Sequence, residues 1–332
     1  MTLADLAVLL GAELEAESAG VEISGVTLDS AQVRPGDLFT ALPGANTHGI
    51  RFASAAVDAG AVAILTDPIG IAYGSSTGRP VLVVPDPRAV LGRVCAAVYG
   101  DPSRRLSVLG VTGTNGKTTT SYLLEAALDA AGEQAGLIGT IETRMHTRAG
   151  LVTVPAQRTT PEAPDLQATL AVMAENGISA VAMEVSSHAL ALDRVAGTAF
   201  EVAAFTNFSQ DHLDFHGDLE AYFQAKALLF DGRATHEVVM VDDEWGTRLV
   251  GPNTITVSTT GNSDASWHSS GVAAAGGRTS FTAHGPRGRR VPVILSLPGD
   301  FNVANALLAL AILDCTEVDL DGAATGLASA RV

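Results

Sequence analysis

The sequence predicts an α/β protein: a small N-terminal α/β domain, then a central domain built on a doubly wound, mostly parallel sheet. Three observations lead there. Near-continuous apolar runs such as AVAILT and ISAVAMEV alternate with helix-patterned segments, as expected when both faces of parallel strands are covered. A glycine-rich loop, GTNGKTT, falls directly between an apolar strand and a helix. Aromatic residues make up only 5% of the chain while glycines number 34, which suits close helix–sheet contacts. A length of 332 residues suggests two domains.

In chain order, residues 1–102 read as the first domain. VEISGVTL (21–28) is a strand running into Asp29 and Ser30, and PGDLFTALPG a second strand bounded by turn residues. RFASAAVDAG reads as a short helix, AVAILT and PVLVVP as strands, and RAVLGRVCAAVYG as an amphipathic helix closing the unit. DPSRR (101–105) is a polar hinge, after which residues 106–332 form the second domain. There LSVLGVT is a strand, GTNGKTT a loop and TTSYLLEAALDAAG a helix, followed by strand QAGLIGTI and a hairpin through LVTVP. PEAPDLQATLAVMAENG is a helix with Pro161 at its start and Gly177 after its end. Strands ISAVAMEV, AFEVAAFT and EVVMV follow, with the helix LEAYFQAKALLF between the last two. Residues 251–297 are a β-rich excursion, and FNVANALLALAIL is a final helix.

Composition narrows the function classes. A net charge of −16 without a basic stripe argues against nucleic acid or an anionic membrane as partner, though a local pocket can still take anionic small molecules. No apolar run reaches the ~18–20 residues needed to span a bilayer. The N-terminal segment MTLADLAVLLGAELEAE lacks the basic start of a signal peptide. Cys95 and Cys315 sit far apart in apolar segments and read as free thiols. Together these features lead us to expect a cytoplasmic protein, and we take it to be a monomer.

The strongest motif is Gly113-Thr114-Asn115-Gly116-Lys117-Thr118-Thr119. Glycines let backbone N–H groups turn in around phosphates, and the helix N-terminus adds partial positive charge. Lys117 is spaced to reach the β/γ-phosphates, and the Thr118 hydroxyl to ligate Mg²⁺. The strict Walker spacing fails, because Val111 stands at the first glycine position. The competing reading, a glycine turn with a surface lysine, does not account for the strand–loop–helix order. Glu184 ends an apolar strand, where parallel sheets meet their ligands. Beside it in the chain come Ser186, Ser187 and His188, and later Asp211, His212, His216 and Lys226. His188 and His216 read as structural hydrogen-bonders.

TGTNGKTT, MEVSSHAL…RV, FTNFSQDHLDFHG with AKALLF, and LPGDFNVANALLALAIL appear in the order found in Mur ligases, which the chain resembles over nearly all of residues 20–332. The N-terminal LDS…PGDLFTALPG…HG…GAVAIL resembles the UDP-binding domain of the MurE branch. That resemblance implies a UDP-MurNAc-binding first domain and a P-loop ATPase as the second. It also implies an activity: ATP-dependent ligation of a diamino acid, meso-diaminopimelate or L-lysine, to UDP-MurNAc-L-Ala-D-Glu in peptidoglycan synthesis. The Ala/Gly/Val/Arg-rich usage tilts the expectation toward diaminopimelate.

Carried over by position, Leu28, Ser30, Ala45, Asn46 and Thr47 would meet the uridine end, and Thr159, Thr160, Ser186 and Arg194 the muramoyl dipeptide. Glu184 and His212 would bind Mg²⁺, with Thr118 joining at the nucleotide. Imidazole is softer than this ion prefers, so His212 rests on the resemblance alone. Lys226 matches a lysine that the family carbamylates, a change that turns a cation into an anion with oxygen donors. Asn302 matches an adenine-contacting asparagine, with helix capping as its other reading.

Two departures stand out: Arg158 where some relatives carry asparagine, and Leu192 where some carry glutamine. The C-terminal amino-acid-binding domain of relatives has no counterpart here, so the 332 residues alone are expected not to ligate. The implied chemistry passes through an acyl phosphate, and neither Ser186 nor Ser187 has the setting of a covalent nucleophile. Two rival readings stand beside this one. Folylpolyglutamate synthase fits poorly because it begins near its phosphate loop. The other is a catalytically incomplete nucleotide-sugar and ATP-binding protein derived from such a ligase.

Overall fold

The computed structural model describes residues 1–44 and 46–331, so the expectation placed on Ala45 lies outside it. The chain divides into two compact units. The first comprises Met1–Arg104, Pro161–Val172 and Leu192–Thr198, and the second Arg105–Thr160, Met173–Ala191 and Ala199–Val332. The sequence reading had both domains contiguous.

The first unit opens with α1 (Leu3–Leu10), which the sequence reading passed over. Its start is marked by a capping box: Thr2 Oγ1 accepts from Asp5 N–H and the Asp5 carboxylate accepts from Thr2 N–H. A four-stranded all-parallel sheet follows, β1 (Gly25–Thr27), β2 (Asp37–Thr40), β3 (Ala63–Thr66) and β4 (Val81–Val83), in sequential order. Helices α2 (Ala53–Asp58), α3 (Ile71–Gly74) and α4 (Pro87–Val98) are interleaved with these strands. The strand expected over 21–28 shrinks to three residues because Val21 and Ile23 bond instead to Leu3 and Met1 at the start of α1. Alternation then fills both sheet faces. Leu38, Leu65 and Leu82 pack with Leu91, Val94 and Cys95, while Phe39 and Ile64 pack with Ile50, Ala53 and Ala56.

The second unit begins with β5 (Ser107–Thr112), α5 (Lys117–Ala130) and β6 (Ala135–Ile138), then the hairpin β7 (Glu142–Thr147) and β8 (Gly150–Pro155). Helix α6 (Ala163–Glu175) begins in the first unit and ends in the second. Then come β9 (Ala180–Glu184), α7 (Ser187–Ala191), β10 (Phe200–Phe205), α8 (Leu213–His216), α9 (Leu219–Ala227), β11 (Ala234–Met240) and α10 (Glu244–Thr247). The chain continues through β12 (Ile255–Ser258), β13 (Trp267–Ala275), β14 (Arg278–His284) and β15 (Arg290–Leu295), and ends with α11 (Asp300–Leu313) and α12 (Leu320–Leu327).

One eleven-stranded sheet results, in the order β15-β14-β13-β12-β11-β10-β5-β9-β6-β7-β8. It is parallel from β13 to β6 and antiparallel at both rims. The segment read as a β excursion therefore continues the main sheet rather than leaving it. Helix α11 is apolar all round and buried, packing against α5 and the β11–β14 strands. Order reverses around β5, which lies between β10 and β9, and such a switch point opens a crevice at the carboxyl ends of the strands. Among the described residues no helix is long and apolar enough to cross a membrane.

Candidate functional site

The turn after β5 is built to bring backbone close to other groups. Gly113 holds φ +138°, and a Cβ there would run into Thr206 Oγ1; Gly116 holds φ +87° against Asn305 Oδ1. Neighbouring loops then fix the turn. Thr114 N–H donates to Asn207 O (2.9 Å), Asn115 N–H to Asn207 Oδ1 (3.0 Å) and Thr206 Oγ1 to Asn115 O (2.6 Å). Helix α5 starts at Lys117, so Lys117, Thr118 and Thr119 form its first turn rather than the tail of a loop. That placement aims the helix N-terminus at the turn.

Lys117 Nζ donates to Gly113 O and Thr114 O, both at 2.9 Å. Lys226, on α9, is 1% exposed and also donates to Gly113 O, at 2.6 Å. Burial, and next the Lys117 charge, push the Lys226 ammonium down to about 6, with Asp211 offsetting only part. Burial lowers Lys117 too, opposed by Glu184 and Asp211.

Glu184 is buried at the end of β9, and its carboxylate is fully engaged. It accepts from Thr118 Oγ1 (2.9 Å), Thr140 N–H (2.8 Å) and Thr140 Oγ1 (3.0 Å). Gly139 makes room, since a Cβ there would lie 2.5 Å from Glu184 Oε1. Thr160 Oγ1 donates to Glu184 O (2.8 Å), and Ser186 N–H to Thr160 Oγ1 (3.0 Å), which ties two expected residues to the same strand end.

His212 sits in the left-handed region at φ +50° with half its side chain exposed, 3.5 Å from Asp211 Oδ2. Its ring meets His188 edge-on at 4.9 Å. His216 Nε2 lies 3.0 Å from Ser187 Oγ, and burial with nearby His188 and Lys226 lowers its pKa.

These groups surround a cavity of about 280 Å³. Residues 114–119, Thr159, Glu184, Ser186, His212 and Lys226 line it, together with Thr140, Ser187 and Tyr222. Thr140 and Tyr222 were missed by sequence reasoning. Thr140 carried a usable signal, since it follows β6 at the same strand end as Glu184. A second cavity of about 290 Å³ shares Asn115, Gly116 and Thr119 with the first and has Thr206, Asn207, Met240, Phe301 and Asn305 in its wall. Asn302 is not in that wall. It is buried, its Nδ2 donating to Pro298 O (2.8 Å) and its Oδ1 accepting from Asn305 Nδ2 (3.3 Å). The helix asparagine facing the cavity is Asn305, one turn on.

Leu28 and Ser30 are half-buried and Asn46 and Thr47 exposed, all in the first unit. Arg194 clusters by contacts with the first unit. There its Nε lies 2.9 Å from Glu162 Oε1. Glu184 and Thr118 offer adjoining hard oxygen donors, a set suited to Mg²⁺. His212 lines the same cavity. Among the described residues no three His, Cys, Asp or Glu side chains converge as a self-sufficient metal cluster.

Residues 111–313 match the Mur ligase middle domain, and residues 22–99 match the Mur ligase family catalytic domain. The chain is 48% identical over 331 residues to the UDP-N-acetylmuramoyl-L-alanyl-D-glutamate–2,6-diaminopimelate ligase of Streptomyces avermitilis, covering 98% of this chain and 64% of that one. It is also 48% identical over 342 residues to the same-named ligase of Corynebacterium efficiens, covering 100% of this chain and 64% of the relative. A solved structure of a ligase of that name superposes with a TM-score of 0.84 at 28% identity, covering 100% of this chain and 67% of the other. The chain thus spans about 64% of the length of the curated relatives it matches. With more than half its residues inside the middle-domain match and the phosphate turn at the head of that match, the chain belongs to the Mur ligase family.

Proposed function

We propose that these residues form the nucleotide- and UDP-sugar-binding part of an ATP-dependent ligase that adds meso-diaminopimelate to UDP-MurNAc-L-Ala-D-Glu in the cytoplasm. The observation that carries the reading is the 280 Å³ cavity into which Lys117, Thr118, Glu184 and Lys226 converge. The names of the 48%-identical relatives supply the substrate and the amino acid.

In this reading the γ-phosphoryl of ATP passes to the substrate carboxylate, releasing ADP and leaving an acyl phosphate. The amine of the incoming amino acid then attacks that carbonyl, and phosphate leaves as the amide forms. The turn of residues 113–119 would cradle the phosphates with its N–H groups and the α5 N-terminus. Lys117 would exchange its two carbonyl partners for β/γ-phosphate oxygens, offsetting the charge that develops in transfer. Thr159, Thr160, Ser186 and Arg194 would position the muramoyl dipeptide, and Leu28, Ser30, Asn46 and Thr47 the uridine. Asn305, facing the second cavity, would meet the adenine in place of Asn302.

Mg²⁺, when bound, would screen repulsion between triphosphate and carboxylate. Glu184, Thr118 and His212 would hold it, with Lys226 as a carbamate. A lysine neutral near pH 7 keeps the lone pair that adds to CO₂, and the buried setting of Lys226 supports that modification. The protein would act as a monomer.

Calorimetry tests the reading. The chain is expected to bind Mg·ATP and UDP-MurNAc-L-Ala-D-Glu separately and, assayed as these 332 residues, to form no tripeptide product. Failure to bind the UDP-sugar would remove the substrate assignment.

A further inference from the structure

Strands β5 and β10 lie side by side in parallel, so the segment that follows β10 runs beside the phosphate turn that follows β5. Thr206 N–H donates to Thr112 O (3.0 Å) and Thr114 N–H to Asn207 O (2.9 Å), which continues the ladder past the strand ends. Beyond that point a side chain replaces the neighbouring strand. Asn207 Oδ1 accepts from Asn115 N–H (3.0 Å), and Asn207 Nδ2 donates to Asn115 O (3.1 Å). One planar amide thus answers both backbone groups of a single residue. Thr206 Oγ1 gives the same carbonyl a second donor at 2.6 Å.

Peptide groups are planar, and none of those described is cis, so each N–H points opposite to the C=O of its own plane. Holding Asn115 N–H against Asn207 turns Thr114 O to the far side, where Lys117 Nζ donates to it at 2.9 Å. Holding Asn115 O against Asn207 and Thr206 turns Gly116 N–H the same way. Asn115, Gly116 and Lys117 all line the 280 Å³ cavity. We propose that Asn207 is a positioning residue that sets these two peptide planes and so aims Gly116 N–H at the polyphosphate of a bound nucleoside triphosphate. The inference rests on the phosphate role proposed for the turn. Gly116 has no side chain to restrict its own backbone, and an N–H already oriented binds an anion without the entropy loss of ordering the turn.

Calorimetry on the chain tests this, with Mg·ATP and UDP-MurNAc-L-Ala-D-Glu titrated separately and inorganic tripolyphosphate followed by its displacement of Mg·ATP. Asn207→Ala should weaken Mg·ATP and tripolyphosphate by the same factor, about tenfold, the scale of one hydrogen bond to an anion. UDP-sugar affinity should hold. Thr206→Val removes only one of the two donors to Asn115 O and should give the same pattern at smaller size. It carries the comparison if Asn207→Ala does not fold. Unchanged Mg·ATP affinity in these variants would overturn the proposal. So would a loss confined to Mg·ATP with tripolyphosphate unaffected, because Thr206 and Asn207 also line the second cavity and would then be serving the base. An equal loss of UDP-sugar affinity would mark general damage to the fold and overturn it as well. A wild-type chain that binds neither Mg·ATP nor tripolyphosphate removes the nucleotide reading beneath it.

Discussion

At the Gly113 carbonyl two lysines of opposite legibility meet. Lys117 could be assigned from its motif, because a glycine turn followed by lysine at a helix start has few other uses. Lys226 could not be assigned from local pattern, because α9 reads as an ordinary mixed helix and only the packing reveals the lysine as buried. Its significance came from family likeness. Lys117→Ala is expected to weaken Mg·ATP binding by about 30-fold or more by calorimetry, since it loses charge-assisted contacts to phosphate, with far-ultraviolet circular dichroism unchanged. Unaltered ATP affinity would detach the turn from the nucleotide. Lys226 carries a pH signature as well. The unfolded chain takes up this proton near pH ~10.4, while the folded lysine resists it down to about 6. Between those values the unfolded state binds more protons, so this lysine's contribution to stability rises with pH, and its full penalty is present below 6. In CO₂-free buffer, Lys226→Met should therefore raise the melting temperature at pH 7, with a gain that shrinks toward pH 10. A constant gain at both values would contradict the buried-amine account.

Among elements, those with strong apolar runs were readable and the short or polar ones were not. β5, β9, β10 and α11 stand close to where the runs place them. α12 and α1 escaped notice, although the Thr2–Asp5 pair is a start signal for the latter. The first strand was over-extended because residues 21–23 look like strand but bond to the start of α1. Asn302 and Asn305 lie three residues apart on one helix, and only the helix's rotation decides which faces a cavity. The contact of α4 with the 192–198 segment also lacks any local signal, since Gly92 reads as a helix defect. Gly92→Ala should be destabilising by roughly 3 kcal/mol or more, because a methyl group has no flexible neighbour to displace, only the backbone at Ala196. Urea unfolding would check it, and a cost under about 1 kcal/mol, the usual helix gain from Gly to Ala aside, would show that the contact yields.

For the molecule as a whole, the α/β class and the mostly parallel central sheet were legible, because alternation of buried strands and helices is a long-range regularity written in every segment. The membership of each unit was not. The first unit draws on residues as far along as Thr198, and no composition shift marks 161–172 or 192–198 as belonging to it. A fragment ending at Arg104 should accordingly show lower thermal stability and weaker hydrogen-exchange protection in α4 than the full chain, and equal protection would mean the later segments are only appended. The same arrangement sets an order on biosynthesis. When residue 104 leaves the ribosome the first unit lacks its closing pieces, and at ~5–20 residues per second these arrive roughly 5–20 s later. During that interval the α4 surface that Gly92 keeps flat for a backbone stays uncovered, so a nascent chain of this length is a natural client for chaperones, and slow translation between the units would prolong its exposure.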